Sequence, residues 1–312
     1  LREKTKNQPD LEMFDTACHS FLKKGYRVLA FGEGAFVSKD PAQWEVHIVG
    51  LIGFLDPPKK GVRLAVTTAK KAGIHVIMIT GDHPLTAQNI AHEVGIWRKQ
   101  DQTLIGSEIE NMTDDELLQA LQTTTVLARI LPEHKYRVVK VLQAKGEVVA
   151  VTGDGVNDMP ALKASNIGIA MGDGSEAAKS VSQMILVDNN FSIIVEAIKN
   201  ARVIAANIRK VIYYLVSTSM QELIFLTLSL FSGMPIPLSA IQILWINLVT
   251  DGVMDKTLPF IREEGDVMNQ PPKKVEKAFF DYTQVINILY FGLTQGIFCY
   301  GLYWYLLPRY PF

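Results

Sequence analysis

Thr152-Gly153-Asp154-Gly155-Val156-Asn157-Asp158 follows the apolar run Glu147-Val148-Val149-Ala150-Val151 and precedes a helix-like stretch from Met159 to Ala164. Glycines admit backbone conformations that other residues resist. A turn holding two of them can present carboxylates at the carboxyl end of a strand, where open α/β sheets bind ligands. Asp154 and Asp158 lie four residues apart on that turn. Two carboxylates facing a phosphate suit Mg²⁺, which takes hard oxygen ligands and shares them with phosphate groups. The plainer reading is an acidic strand-to-helix turn; a second motif of the same form argues for the metal.

That second motif is Thr80-Gly81-Asp82-His83, at the end of the apolar run His75-Val76-Ile77-Met78-Ile79. A helix-like segment follows from Pro84 to Gly95, with proline suited to a first turn and glycine to a stop. The Thr80 hydroxyl and the Gly81 N–H are suited to a phosphoryl oxygen. A third element is Arg129-Ile130-Leu131-Pro132-Glu133-His134-Lys135. Pro132 opens a helix and puts Lys135 on its first turn, where a lysine neutralises phosphate charge without occupying a metal position. Alone, Lys135 reads as a solvated helix lysine; beside the two strand-end motifs it reads as a phosphate group's partner.

The 312 residues carry a net charge of −1, so nothing suggests a nucleic-acid partner. The two cysteines, Cys18 and Cys299, lie far apart and give neither a disulfide framework nor zinc spacing. Residues 1 to about 200 alternate short apolar strands with amphipathic helices, as a soluble α/β protein does. Beyond them come three apolar runs, 211–231, 238–260 and 283–307. Each is long enough for a hydrocarbon layer of roughly 30 Å, which takes about 20 helical residues. Lys199, Arg202, Arg209 and Lys210 precede the first run and Arg262, Lys273, Lys274 and Lys277 follow the second, whereas the turn from Ser232 to Pro237 is uncharged. Basic loops mark the cytoplasmic side, so the soluble part is expected to be cytoplasmic in a multi-pass membrane protein. Phe191 to Lys210 holds no proline or glycine and leads directly into the first run, so residues 191 to about 231 read as one long helix, a stalk into the bilayer.

Ser219 and Glu222 share a face of the first run, and Asn247, Thr250 and Asp251 share a face of the second. Ionisable groups inside a bilayer are functional candidates because an unpaired charge there is costly. Together these oxygens suit a hard cation better than copper or zinc; the alternative is interhelical hydrogen bonding alone. Gly252 is a point where the helix can unwind and free carbonyls.

These motifs resemble, in order, those of the P-type cation-transporting ATPases: Asp56-Pro57-Pro58, Thr80-Gly81-Asp82, Pro132-Glu133-His134-Lys135, and Thr152 to Asp158 followed by Met159-Pro160-Ala161-Leu162. Ile246-Asn247-Leu248-Val249-Thr250-Asp251-Gly252 resembles the sixth membrane helix of the type II branch, which contains calcium and sodium/potassium pumps. The resemblance implies a haloacid-dehalogenase-like Rossmann phosphorylation domain, incomplete here, followed by three transmembrane helices. Residues 1–50 become the end of a nucleotide-binding domain, 51–200 the phosphorylation domain, and 201–312 the stalk and membrane helices. It implies ATP and Mg²⁺ as cofactors, with Asp154 and Asp158 at the metal, and with Thr80, Gly81, Asp82, Lys135 and Asn157 at the phosphoryl group. Arg27 resembles a nucleotide-contacting arginine, or is a surface arginine beside a strand. Arg129 orients the phosphorylation site or braces a turn. Ser219, Glu222, Asn247, Thr250 and Asp251 become ligands of the transported cation.

The family's phosphorylated aspartate lies in Asp-Lys-Thr-Gly-Thr, which does not occur here. Asp255-Lys256-Thr257 repeats only its start, inside an apolar run. The chain therefore reads as the C-terminal piece of a longer pump, inactive alone and partnered by the missing N-terminal part. An opening is expected between the strands ending at Thr80 and Thr152, where the family's central strand belongs. Ser219 where Asn is usual, and Lys256 near the acids, leave the ion open: Ca²⁺ first, then Na⁺, K⁺ or H⁺. Two other readings are a membrane-tethered phosphatase of the haloacid dehalogenase type and a nonenzymatic regulator.

Overall fold

A computed structural model describes residues 10–34, 46–272 and 282–309, with Asp251 described by its backbone alone. The chain divides into two units. One holds residues up to Lys70 and from Ile74 to Val195; the other holds Lys71–Gly73 and the residues from Glu196 onward.

In the first unit, α1 (Leu11–Lys23) precedes an antiparallel pair, β1 (Arg27–Glu33) and β2 (His47–Phe54). The chain leaves α1 through Gly25, whose φ of 84° lies in the left-handed region that glycine tolerates. Phe21 meets Tyr26 edge-to-face at 5.5 Å across that turn. Next, α2 (Val62–Lys71) buries Ala65, Val66 and Ala69 along one stripe.

The chain then alternates strands and helices: β3 (Met78–Ile79), α3 (Pro84–Glu93), β4 (Gln102–Ile105), α4 (Gly106–Asn111), α5 (Asp114–Leu121), β5 (Thr124–Ala128) and α6 (Pro132–Ala144). The strands form a parallel sheet in the order β3-β5-β4. All five residues of β5 are buried, as suits a middle strand covered on both faces. Leu104, Ile109, Leu117, Leu121, Leu127, Ile130, Val138 and Val141 make the core beside it. The helices begin where local chemistry dictates: Pro84 and Pro132 each take the first turn, and Thr113 caps α5 reciprocally with Glu116.

A second parallel sheet, β6-β7-β8, comprises β6 (Ala150–Gly153), β7 (Ile167–Met171) and β8 (Met184–Leu186). A 3₁₀ turn at Val156–Asp158 leads into α7 (Met159–Ala164), and α8 (Glu176–Val181) connects β7 to β8. Among the described residues no ladder joins the two sheets, and β3 and β6 are each an outer strand. Both strands are shorter than their apolar runs, because an outer strand is fixed only where its single neighbour reaches it. Met78 and Ile79 pair with Val126 and Leu127, and Ala150 to Gly153 pair with Ile167 to Ala170.

The helix α9 (Phe191–Phe231) is unbroken for 41 residues, as its lack of proline and glycine leads one to expect. At about 1.5 Å per residue it extends about 60 Å. The run 238–260 departs from the single span expected of it. It consists of α10 (Ala240–Ile246), a π-helical turn at Asn247–Asp251, α11 (Gly252–Thr257) and a 3₁₀ turn at Leu258–Phe260. Polar side chains and helix breakers account for this. The Thr250 hydroxyl donates to the Ile246 carbonyl at 2.5 Å, Gly252 follows the widened turn, and Pro259 lacks an N–H. The third run is α12 (Tyr282–Leu306). Two helices among the described residues, α9 and α12, are thus long and apolar enough to cross a membrane, where three were expected.

Those two helices pack closely in the second unit. A Cβ added to Gly292 would lie 2.6 Å from Met220, and one on Gly296 would lie 2.7 Å from Ile224, the close approach that small residues permit between membrane helices. The segment after α11 is laced to α9. Asn207 donates to the carbonyls of Pro259 and Ile261, at 3.0 and 2.8 Å. Arg202 donates to those of Val267, Gln270 and Ala72. Lys199 and Lys210 pair with Glu263 and Glu264.

Candidate functional site

The end of β3 is held by the backbone that follows β5. The Thr80 N–H donates to the Leu127 carbonyl at 2.9 Å, the Ile130 N–H to the Thr80 carbonyl at 3.0 Å, and the Arg129 N–H to the Asp82 carbonyl at 3.1 Å. Arg129 reaches this position with φ of 51°, a left-handed conformation uncommon outside glycine. Its side chain is exposed, so what braces the turn is its main chain. Within the turn, the Thr80 hydroxyl donates to Asp82 Oδ2 at 3.0 Å and accepts the Asp82 N–H at 3.1 Å. Gly81 is exposed between them. Next in line, His83 caps α3, its Nδ1 accepting the Leu85 N–H at 3.3 Å. Burial holds the His83 pKa below the usual histidine value, helped by the charges of Arg129 and His19.

The end of β6 is built differently. Lys135, on the first turn of α6, places Nζ 2.6 Å from Asp158 Oδ1. The two side chains are only 20% and 11% exposed, so the pair is well shielded from water. The other carboxylate oxygen, Oδ2, accepts the N–H groups of Asp154 and Gly155 at 3.3 and 3.4 Å. Gly153 makes this possible: a Cβ there would lie 2.5 Å from the Asp158 Cβ. The Asp154 carboxylate is exposed and takes no hydrogen bond or ion pair among the described residues. Its backbone is fixed from the far side, where the Ser175 N–H donates to the Asp154 carbonyl at 2.8 Å and Gly174 packs within the reach of a Cβ at 2.9 Å. Asn157 is exposed on the 3₁₀ turn.

The structure thus brings Thr80, Gly81 and Asp82 onto one braced turn, and Lys135, Asp154 and Asp158 around another. Arg27 is exposed on β1, opposite Phe54. In the second unit, Ser219 lines an apolar hollow of about 280 Å³ with Leu215, Val216, Met220 and Leu223. Glu222 is half-buried on α9, while Asn247 and Thr250 are exposed on the π-helical turn. The Asp251 side chain lies outside the described residues. Gly174, Ser175 and the buried His134 belong to the site's support and were not singled out from sequence. Gly172-Asp173-Gly174 directly after β7 was the available signal for the first two.

Among the described residues no group of three or more His, Cys, Asp or Glu side chains could hold a metal by itself. The donor set nonetheless fits Mg²⁺, which is commonly held by one or two carboxylates together with water and phosphate oxygens. Asp154 is the open carboxylate, and Asp158 is engaged by Lys135 and two amides.

A family described as haloacid dehalogenase-like hydrolase matches residues 6–166, and a second of the same description matches 135–198. A family described as cation transporting ATPase, C-terminus, matches 235–311. Calcium-transporting ATPase 1 of Lactococcus lactis is 41% identical over 296 residues, covering 93% of this chain and 34% of the relative. The calcium-transporting ATPase of Bacillus subtilis is 41% identical over 256 residues, covering 82% and 28%. Calcium-transporting ATPase type 2C member 1 of Homo sapiens is 39% identical over 266 residues, covering 85% and 28%. The chain spans about a third of the length of these curated relatives. The resemblance read from the motifs agrees with these matches.

Proposed function

The chain belongs to the haloacid dehalogenase-like hydrolase family, and on that premise we propose that it is the phosphate-handling and membrane-entering part of an ATP-driven P-type pump that carries Ca²⁺. The observation that supports this most is the end of β6, where an exposed Asp154 stands beside a shielded Lys135–Asp158 pair. Phosphoryl transfer asks a protein mainly for positioning and charge neutralisation. Lys135 supplies a fixed positive charge, held by Asp158 so that it does not wander into solvent. Thr80 and Gly81 offer a hydroxyl and an N–H to phosphoryl oxygens from a turn braced by Arg129 and Ile130. Asp154 would hold Mg²⁺, which when bound supplies further positive charge to the phosphate oxygens. The aspartate that accepts the phosphoryl group would come from a strand inserted between β3 and β6, in a preceding part of the same polypeptide.

Ca²⁺ is the favoured cargo because the relatives bear that name and because oxygen donors sit at Ser219, Glu222, Asn247, Thr250 and Asp251. The π-helical turn at Asn247–Asp251 supports a ligand role for that stretch, since such turns recur at functional sites. The long α9 is read as the stalk joining a cytoplasmic phosphorylation domain to these ligands, with residues 1–50 ending a nucleotide-binding domain.

The test is ATP hydrolysis by the full-length polypeptide that carries this chain, across a panel of Ca²⁺, Na⁺, K⁺, Mn²⁺ and pH. Ca²⁺ is expected to activate. Asp154→Asn should abolish Mg²⁺-dependent phosphorylation. Glu222→Gln should leave phosphorylation from inorganic phosphate intact and remove the Ca²⁺ dependence. Stimulation by Na⁺ or K⁺ alone would refute the assignment of the ion, and normal phosphorylation in Asp154→Asn would refute the site.

A further inference from the structure

We propose that His134 is a positioning residue that holds Lys135 in register with Asp158. It is only 5% exposed and both ring nitrogens are engaged. Nδ1 accepts the Leu131 N–H at 3.3 Å, and Nε2 lies 3.1 Å from Glu110 Oε1. Because Nδ1 accepts, the ring proton belongs on Nε2 and points to Glu110. The ring therefore ties the N-terminus of α6 to α4. The seat is tight, for a Cβ on Gly106 would lie 2.5 Å from the Arg129 carbonyl oxygen and 3.0 Å from His134 Nδ1.

Arg137, three residues further along α6, fastens the same neighbour. It donates to the carbonyls of Ile109 and Met112 at 2.7 and 2.5 Å and pairs with Asp114 at 2.8 Å. Two side chains of α6 thus lock its rotation against α4 and the turn that follows. Lys135 is the residue beside His134, and successive helical residues point about 100° apart. A small rotation of this first turn swings Nζ away from Asp158 Oδ1, 2.6 Å distant. The seat of Lys135 is therefore set by Glu110, a carboxylate outside the phosphate site. The geometry stands without the proposed function; only the benefit to phosphate rests on that reading.

The experiment follows the Nζ signals of lysine by NMR in the complete chain, with Lys135 identified by its loss in Lys135→Arg. Asp158→Asn defines the shift of an unpaired Lys135. His134→Asn, which keeps an acceptor near the Nδ1 position but cannot reach Glu110, should move the Lys135 signal most of the way to that value. Glu110→Gln, which retains the packing, should move it in the same direction. Lys140, further along α6, should stay in place in both. An unmoved Lys135, or equal movement of Lys140, overturns the proposal.

Inorganic phosphate with Mg²⁺ is then titrated. Lys135→Ala and His134→Asn should each weaken binding about tenfold, the size of a lost charge-assisted hydrogen bond, and His134→Asn should add nothing in the Lys135→Ala background. A full additional loss in that background overturns the positioning role. Phosphate binding indifferent to Lys135→Ala, with the Lys135 signal moving as expected, leaves His134 as the positioner and refutes the phosphate reading instead.

Discussion

Two turns in this molecule share the tripeptide Thr-Gly-Asp at the end of an outer parallel strand, yet they are built for different work. At Thr80-Gly81-Asp82 the carboxylate bonds back to its own threonine hydroxyl, and the following His83 caps a helix. At Thr152-Gly153-Asp154 the carboxylate is exposed, and a second acid four residues on takes both the amides and the lysine. The residues after the tripeptide make the difference. His83-Pro84 starts a helix at once, whereas Gly155-Val156-Asn157-Asp158 makes one 3₁₀ turn that brings Asp158 under the strand end. The first turn offers neutral donors; the second separates an open acid from a bound cation.

The largest expected effect breaks the comparison at the glycines. In Gly153→Ala the new methyl meets the Asp158 Cβ at 2.5 Å and Oδ2 at 2.7 Å. Overpacking of this kind costs about 1–3 kcal/mol, and the upper end is expected because backbone-near atoms must yield. Gly81→Ala meets nothing nearer than the Ile130 carbonyl oxygen at 4.0 Å. Its φ is not among the positive ones, so the change should be neutral or stabilise by about 0.5 kcal/mol. Urea unfolding followed by circular dichroism measures both. Equal losses would show that the two turns are equally tight.

Exchange of the acids comes next. Asp158→Asn removes the charge facing a lysine that is only 20% exposed, and about 2 kcal/mol should be lost. In Asp82→Asn an amide oxygen can still accept from Thr80, so less than about 1 kcal/mol should go. A larger loss at Asp82 would reverse the assignment of which carboxylate organises its turn.

Much of this contrast was legible in the sequence. Pro84 and Pro132 marked helix starts that the structure places at the same residues, and the segment from Phe191 to Phe231 is as continuous as its composition implies. The middle apolar run misled, because hydropathy sums over a window and does not register how Thr250, Gly252 and Pro259 act on the backbone between apolar neighbours. The pairing of Lys135 with Asp158 joins residues 23 apart in the chain, and that of His134 with Glu110 joins residues 24 apart. Neither pairing has a local pattern to announce it. The histidine in particular looks like any polar residue on a first helical turn until its burial is known.

The smallest effect sharpens the comparison by pH. His83 has no counterpart after Asp154, where Gly155 stands. As a cap it must be neutral at Nδ1 to accept the Leu85 N–H. Burial first, then Arg129 and His19, hold its folded pKa below the ordinary 6.5. The unfolded chain therefore binds the proton more readily. The stability contributed by this group is complete above about pH 6.5 and is lost as pH falls through the depressed folded value. The loss should be about 1 kcal/mol or less, the usual worth of a helix cap. His83→Asn keeps an acceptor for the cap and removes the titration. Stability measured from pH 7.5 to 5 should fall less in His83→Asn than in the native chain. A fall of the same size in both would place the acid sensitivity elsewhere, among them at His75, whose pKa burial also lowers.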